Sequence, residues 1–294
     1  MNVGMTGDLI PFRLVAADGY VLGATRFPAA QPLRGRLVVA GATAVPQGFY
    51  RRFAQFASAC GFETLTFDYR GIGQSKPSTL KGFQASFLDW ARLDLAGAVY
   101  AMAAHDVPLY LVGHSFGGHA FGLLPNHHQV AGLYVFGISA GWHGWMPVGE
   151  RLLVLLMWNL VFPPLVWWKG YCPWQILGMG EDIPLDVYRQ WRRWCRYPHY
   201  FFDDPAMPDM ATTYATVHAP IMAANALDDG WALPASRDAF VRHYTNAPVD
   251  TQDLDPVPLG GKLGHMGYFR ANAEPLWTQA LTWFTQLRHN RKPA

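Results

Sequence analysis

The chain has 294 residues, of which 51% are hydrophobic and 15% are charged, and its formal net charge is +2. This composition excludes a disordered chain. The balanced charge, with no basic run, predicts no nucleic-acid partner. The length allows one large domain or a core domain that carries an insertion.

Cysteine usage bears on cofactors and on cellular location. The three cysteines, Cys60, Cys172 and Cys195, lie far apart and match neither a disulfide framework nor a metal site. We therefore expect reduced thiols, no bound metal and a cytoplasmic protein. Residues 1–11 lack the basic and apolar regions of a signal peptide, so none is predicted.

The first half of the chain alternates predicted strands and helices. Alternating residues around a turn at Asp18-Gly19 predict a hairpin over 11–28. Apolar runs and helical stripes predict the following elements: strands at 36–41, 63–68, 108–112 and 130–138, and helices at 49–60 and 87–102. Ser86 and Asp89 match a capping box at the start of the second helix. This alternation predicts a parallel sheet with helices on both faces.

The pattern resumes after residue 219, with strands predicted at 221–224 and 251–254 and helices at 236–244 and 275–287. Between these halves the alternation stops, and eight tryptophans fall there: Trp142, Trp145, Trp158, Trp167, Trp168, Trp174, Trp191 and Trp194. We therefore predict a core domain formed by 1–140 and 219–294, with a helical cap inserted at 141–218.

One segment of the predicted cap, residues 152–168, is apolar enough to raise the question of a membrane span. It is short for a span, and Asn159 and Pro163-Pro164 are expected to interrupt it. We interpret it as part of an apolar lid, with contact at a membrane surface as the alternative.

The strongest chemical signal is Gly113-His114-Ser115-Phe116-Gly117, which matches G-x-S-x-G directly after a predicted strand. A serine on a sharp strand-to-helix turn points outward, and the helix N-terminus that follows favours negative charge. A tight turn with a small polar residue is the structural alternative. The context favours Ser115 as a nucleophile.

A serine hydroxyl needs a base that an acid holds in place, and in this motif the expected chain order is serine, acid, histidine. His265 lies on a glycine-flanked loop before the last predicted helix and is the candidate base. Asp228 and Asp229 follow a predicted strand. We choose Asp229 as the acid, but adjacent residues point to opposite sides of an extended chain, so Asp228 stays open.

The oxyanion of a tetrahedral intermediate is expected to bind two backbone N–H groups. The motif places one on the residue after the nucleophile, Phe116, and the other in the loop after an early strand, at Ala42. Because both donors are main-chain groups, side-chain substitution tests them poorly.

These residues, in this order, resemble the α/β-hydrolase superfamily over essentially the whole chain. Residues 68–75 look like that superfamily's D-x-R-G-x-G-x-S loop, in which we expect Asp68 and Arg70 to tie loops together. The segments 41–43, 190–195 and 264–270 look similar to a largely uncharacterised, serine aminopeptidase-like bacterial group. The resemblance implies an eight-stranded, mostly parallel sheet with a lid. The chain has Ala40-Gly41 where many members have His-Gly, and its loop after Asp229 is one residue longer.

The implied reaction is acyl transfer to water through an acyl-Ser115 intermediate, without a cofactor. Asp is the nucleophile of haloalkane dehalogenases and epoxide hydrolases of this fold, so Ser115 argues against both. The apolar cap favours a small substrate with a hydrophobic acyl or alcohol part, as an ester or thioester. An aminopeptidase-like or amidase-like hydrolase and a non-catalytic binding protein are the alternatives. The oligomeric state stays open.

Overall fold

The structure is a computed structural model that describes residues 9–178 and 180–290, with the backbone only at Leu177, His289 and Asn290. Residues 1–8 and 291–294, which the predicted core includes, lie outside the described residues, as does most of the segment that bears on a signal peptide.

The centre of the fold is one eight-stranded sheet with the order β1-β2-β4-β3-β5-β6-β7-β8. β2 pairs antiparallel with β1 and β4, and all other neighbours are parallel. The strands are β1 Ile10–Val15, β2 Val21–Phe27, β3 Gly35–Ala40, β4 Phe62–Phe67, β5 Leu109–His114, β6 Val130–Phe136, β7 Ile221–Ala226 and β8 Val249–Leu254. The predicted hairpin, strand sequence and mostly parallel sheet are confirmed.

Ten α-helices connect and cover these strands in the described part of the chain. They are α1 Arg51–Ala59, α2 Phe87–Asp89, α3 Ala96–Met102, α4 Phe116–Leu123, α5 Val148–Leu156, α6 Phe162–Lys169, α7 Leu185–Trp194, α8 Met210–Ala215, α9 Pro234–Val241 and α10 Glu274–Asn290. A π-helical stretch, Trp90–Leu95, joins α2 to α3. The predicted capping box of Ser86 and Asp89 is confirmed at the start of α2.

The central strands carry apolar side chains on both faces, and helices cover both faces of the sheet. Leu37 and Val39 of β3 belong to the core that α1 and α10 cover, whereas Val38 and Ala40 belong to the core on the opposite face, with α3, α4 and α9. Parallel strands covered on both sides have continuous apolar sequences, which is why short apolar runs located them correctly.

Between β6 and β7, residues 137–220 contribute no strand to the sheet and contain α5 to α8. The division of the chain into a core and a separate cap domain stays a prediction. We refer to residues 141–218 as the cap segment.

The apolar segment of this region differs from expectation. Asn159 and the proline pair do not break it: a helix of 22 residues runs from Val148 to Lys169, and its most apolar 18-residue window has a mean hydropathy of 1.5, so that it is long and apolar enough by length and composition to cross a membrane. The chain passes from α5 through a π-helical stretch, Met157–Val161, into the start of α6, which holds both prolines. The π-helical stretch interrupts the regular α-helical hydrogen-bond ladder immediately before the two prolines, which lack the N–H that such a ladder requires.

Candidate active site

Ser115 sits between β5 and α4 in a strained backbone conformation, with φ of 51° and ψ of −111°. A non-glycine residue with positive φ is uncommon, and such strain concentrates at functional sites. The Ser115 N–H donates to the Phe136 carbonyl at the end of β6, at 2.9 Å. The strand-to-helix turn that the motif predicts is therefore present.

The turn depends on Gly117, in the first turn of α4. A Cβ atom at this position would lie 1.9 Å from the Ala40 carbonyl oxygen on β3. Any side chain here would push α4 away from the sheet, and Ser115 with it. The glycine is required for close approach of two backbones.

The structure pairs His265 with Asp229. The imidazole Nδ1 lies 2.8 Å from Oδ2 of Asp229, whose side chain is fully buried. The Tyr268 hydroxyl donates to the same oxygen at 2.8 Å, and the N–H groups of Trp231 and Ala232 donate to Oδ1, each at 3.1 Å. Four donors therefore hold one buried carboxylate in a fixed orientation.

This pairing shifts the pKa values of both His265 and Asp229. Burial opposes the charged form of each group, but their mutual attraction prevails. The nearby Asp229 carboxylate raises the pKa of His265 above its ordinary value, and His265 in turn lowers the pKa of Asp229. The imidazole is thus a stronger base than a free histidine, which suits a group that must take a proton from a serine.

Asp228 faces elsewhere. Its carboxylate accepts hydrogen bonds from the N–H groups of Leu263 at 2.9 Å and Gly264 at 3.1 Å. It therefore fixes the backbone of the loop that leads to His265. The two aspartates, which the sequence left as alternatives, hold the same loop at different points.

A chain of hydrogen bonds links the loop after β3 to the loop that carries His265. The Ala42 N–H donates to the Tyr50 hydroxyl oxygen at 2.7 Å, and that hydroxyl lies 3.0 Å from Nδ1 of His114. The His114 Nε2 lies 2.8 Å from the carbonyl oxygen of His265. Because a carbonyl only accepts, Nε2–H donates there, and Nδ1 accepts from Tyr50. Burial lowers the pKa of His114 to about 3, so its ring is neutral and supports these loops.

The two predicted oxyanion donors, Ala42 and Phe116, both line the cavity beside Ser115. The Ala42 N–H is engaged by Tyr50 in this structure. The role of this N–H in binding an oxyanion stays a prediction. To donate to an oxyanion, the Ala42 N–H must share or release its hydrogen bond to Tyr50. The neighbouring Thr43 also lines the cavity, although the sequence patterns assign it no role in the site.

Ser115 and His265 line one cavity of about 240 Å³. Four tryptophans contribute to its walls, Trp158, Trp174 and Trp191 from the cap segment and Trp231 from the β7–α9 loop, and the loop after β3 and the start of α4 also line it. No hydrogen bond joins the Ser115 hydroxyl to the His265 ring among the residues that the structure describes. Such contacts often tighten only when substrate binds.

Three groups in this site escaped the sequence reasoning: Tyr50, Tyr268 and Trp231. The signal for Tyr268 was its position three residues after His265, in the loop already singled out. Tyr50 gave no comparable signal, because its partner His114 is 64 residues away. Within residues 9–178 and 180–290, no group of His, Cys, Asp or Glu side chains could hold a metal ion.

Comparison with known proteins agrees with this geometry. Residues 31–163, fewer than half of the chain, match the family model described as serine aminopeptidase, S33. The chain has the α/β-hydrolase fold, and this partial match supports a member of that superfamily. Among curated proteins there is no significant match.

Solved structures with the same fold are distant in sequence. A soluble variant of monoglyceride lipase from Saccharomyces cerevisiae, in complex with a substrate analogue, is 16% identical with a TM-score of 0.66, covering 98% of this chain and 97% of its own. The thioesterase domain from the curacin biosynthetic pathway is 13% identical with a TM-score of 0.58, covering 93% and 99%. A malate-bound thermophilic esterase from Thermogutta terrifontis is 13% identical with a TM-score of 0.57, covering 95% and 99%. At these identities the likeness shows the α/β-hydrolase fold.

Proposed function

We propose that the protein is a serine hydrolase that cleaves a hydrophobic carboxylic ester or thioester through an acyl-Ser115 intermediate. The superfamily match and the esterase, lipase and thioesterase folds it resembles support a hydrolase in general. The observation that carries the finer proposal is the arrangement of Ser115 on a strained turn beside a cavity that it shares with the His265–Asp229 pair.

In the proposed reaction His265 removes the hydroxyl proton as Ser115 attacks the substrate carbonyl. The resulting oxyanion is stabilised by the Phe116 N–H and a second backbone N–H from the loop at Ala42. His265 then gives its proton to the leaving alcohol or thiol. A water molecule, deprotonated by the same imidazole, hydrolyses the acyl-enzyme and regenerates Ser115.

Asp229 has a positional and an electrostatic part in this scheme. Its Oδ2 accepts from Nδ1 of His265, which leaves Nε2 unprotonated and able to accept the serine proton. The buried carboxylate also stabilises the imidazolium formed in both half-reactions. The raised pKa of His265 reflects this stabilisation.

The cavity supports an apolar substrate. Four tryptophans line it, and none of its lining residues among those described is Asp, Glu, Lys or Arg. An aminopeptidase would need an acidic group to receive a free amino terminus, so this lining favours an ester or thioester over a peptide. A small substrate with a hydrophobic acyl or alcohol part fits such a site without a cofactor.

The first experiment asks whether Ser115 is a nucleophile. A fluorophosphonate probe is expected to label the wild-type protein and to fail with Ser115→Ala. Ser139→Ala is the matched control, because Ser139 lines the same cavity and should keep its labelling. Failure of the wild type to react would favour a non-catalytic binding protein.

The second experiment asks what is cleaved. Nitrophenyl esters and acyl thioesters of increasing chain length are expected to show rising kcat/KM until the cavity is filled. Peptide arylamides should be poor substrates by comparison. Turnover of arylamides but of no ester would replace the proposal with the aminopeptidase-like alternative.

A cytoplasmic location and the absence of a nucleic-acid partner remain predictions from composition.

A further inference from the structure

The helix from Val148 to Lys169 presents an apolar outer face. Leu152, Leu156 and Leu160 are 63%, 47% and 67% exposed. They repeat every four residues and therefore form one stripe along the helix. A surface helix of a globular protein normally carries polar residues on this side. The stripe is unpartnered in the described part of the chain.

The opposite side of the same helix faces the protein. Val154, Trp158, Phe162 and Val166 are buried, two residues out of step with the exposed stripe, which is about 200° around the helix axis. Arg192 on α7 donates through Nε to the Trp158 carbonyl at 2.8 Å. The helix is therefore fixed to the protein along one face and free along the other.

We propose that this outer face docks on the surface of a lipid bilayer, with the helix lying in the plane of the interface. An interfacial helix buries one apolar face among the headgroups and acyl chains and keeps the other on the protein. The buried inner face is the reason for placing the helix on the bilayer rather than across it. A span would require this face to leave the cavity that it covers.

The ends of the helix match a lipid surface. Residues 152–168 contain no charged side chain; Arg151, next to Glu150, precedes them and Lys169 follows them, so the net positive charge lies at the C-terminal end. Lys81 adds a third cation at the C-terminal end, since its stem lies beside Gly170. Basic residues close to an apolar face attract the anionic headgroups of a membrane.

The aromatic residues at the same end agree with this orientation. Trp167 and Trp168 are 87% and 67% exposed, immediately before Lys169. Tryptophan is enriched at membrane–water boundaries, where its ring sits at the level of the headgroups. Together with the basic residues, these rings favour a bilayer over a second copy of the chain as the occupant.

A second cavity of about 190 Å³ lies beneath this helix. It is lined by apolar side chains alone: Leu153, Val154, Met157, Trp158, Phe162, Trp174 and Trp231. Val154, Trp158, Trp174 and Trp231 also line the cavity that holds Ser115 and His265. Docking would thus bring lipid next to apolar space that adjoins the site. This last step rests on the proposed function, whereas docking itself does not.

The test is co-sedimentation of the full chain with vesicles of phosphatidylcholine containing about 30 mol% phosphatidylglycerol, a composition that models an anionic surface. Wild-type protein is expected to pellet with the vesicles. The triple variant Leu152→Gln, Leu156→Gln, Leu160→Gln should partition on the order of 100-fold more weakly, because three half-exposed leucines no longer enter the lipid. Glutamine preserves helix propensity, so folding should survive.

A matched control replaces three exposed apolar residues remote from the helix, Ile10→Gln, Tyr100→Gln and Val257→Gln. This variant should bind vesicles as the wild type does. The pair Lys81→Gln, Lys169→Gln should lose binding to anionic vesicles by about 20-fold and keep its binding to pure phosphatidylcholine. Circular dichroism of each variant verifies folding.

Three results would overturn the proposal: wild type that stays in the supernatant, a leucine variant that pellets equally well, or a control variant that loses as much binding. A wild-type dimer that dissociates in the leucine variant would assign the face to a second copy instead. Ser115→Ala is expected to bind vesicles normally. Loss of catalysis and loss of docking are therefore separate outcomes.

Discussion

Replacing Asp229 by asparagine tests the central pair of the site with almost no change in shape. The orientation of the new side chain is set by its surroundings. The N–H groups of Trp231 and Ala232 both donate to Oδ1, so the amide oxygen must occupy that position. The amide NH₂ then replaces Oδ2 and faces Nδ1 of His265.

An NH₂ group can only donate, so it forces Nδ1 to accept and moves the ring proton to Nε2. The imidazole then has no lone pair directed at Ser115. It also loses the buried negative charge that raises its pKa. We expect kcat to fall by about 10⁴-fold, equivalent to about 5.5 kcal/mol of transition-state stabilisation.

The assay is ester hydrolysis at saturating substrate, with the fraction of folded enzyme measured by circular dichroism. Asp228→Asn is the matched control. Leu263 N–H donates to Oδ2 and Gly264 N–H to Oδ1, so the single amide oxygen keeps one of these two hydrogen bonds, and kcat should fall by about tenfold, the cost of roughly one lost hydrogen bond in the loop. If Asp229→Asn stays within tenfold of wild type, or if Asp228→Asn is the more damaging change, the assignment of the acid fails.

Three further outcomes follow from the same geometry. Burial opposes protonation of His265, but the Asp229 carboxylate raises its pKa above the ordinary value, so kcat/KM should fall as pH drops through that raised pKa; a limb centred below the ordinary histidine pKa would contradict the pairing. Tyr50→Phe leaves the buried Ala42 N–H and the buried Nδ1 of His114 without a partner. Thermal denaturation should therefore show that the free energy of unfolding falls by about 2–4 kcal/mol. Tyr134→Phe, which removes a single partly buried hydrogen bond, should cost about 1 kcal/mol; equal losses would argue against the chain of bonds. Gly117→Ala places a methyl group 1.9 Å from the Ala40 oxygen and should give little folded protein by circular dichroism, so a folded, active variant would refute the close-approach explanation.

The parts of the fold that local patterns specify could be predicted from the sequence. The strands β3, β5, β6 and β7 were located because strands buried on both faces have apolar runs, and β4 was located by its alternating pattern. The turn at Ser115 was located because its glycines and its position after a strand are local features. The capping box at Ser86 and Asp89 is local for the same reason.

What escaped prediction depends on distant contacts. Asp228 and Asp229 are adjacent and both follow β7, so only the positions of the His265 loop distinguish their roles. Tyr50 could not be found, because it acts on His114 across 64 residues of sequence. The helix through Pro163-Pro164 was missed because the proline rule assumes a regular α-helical ladder, whereas both prolines directly follow the π-helical stretch Met157–Val161.

His265 is held at three points by residues outside the cap segment. Asp228 fixes the backbone at 263–264. His114 donates through Nε2–H to the carbonyl oxygen of His265, and Asp229 orients the His265 ring. None of these three residues belongs to the cap segment, which instead supplies most of the tryptophans that line the cavity. His265 is therefore held in place independently of the walls that the cap segment contributes. Substitutions in the cap segment should accordingly change KM and the preferred acyl chain length of the substrate. They should leave unchanged the midpoint pH of the acidic limb of the kcat/KM profile.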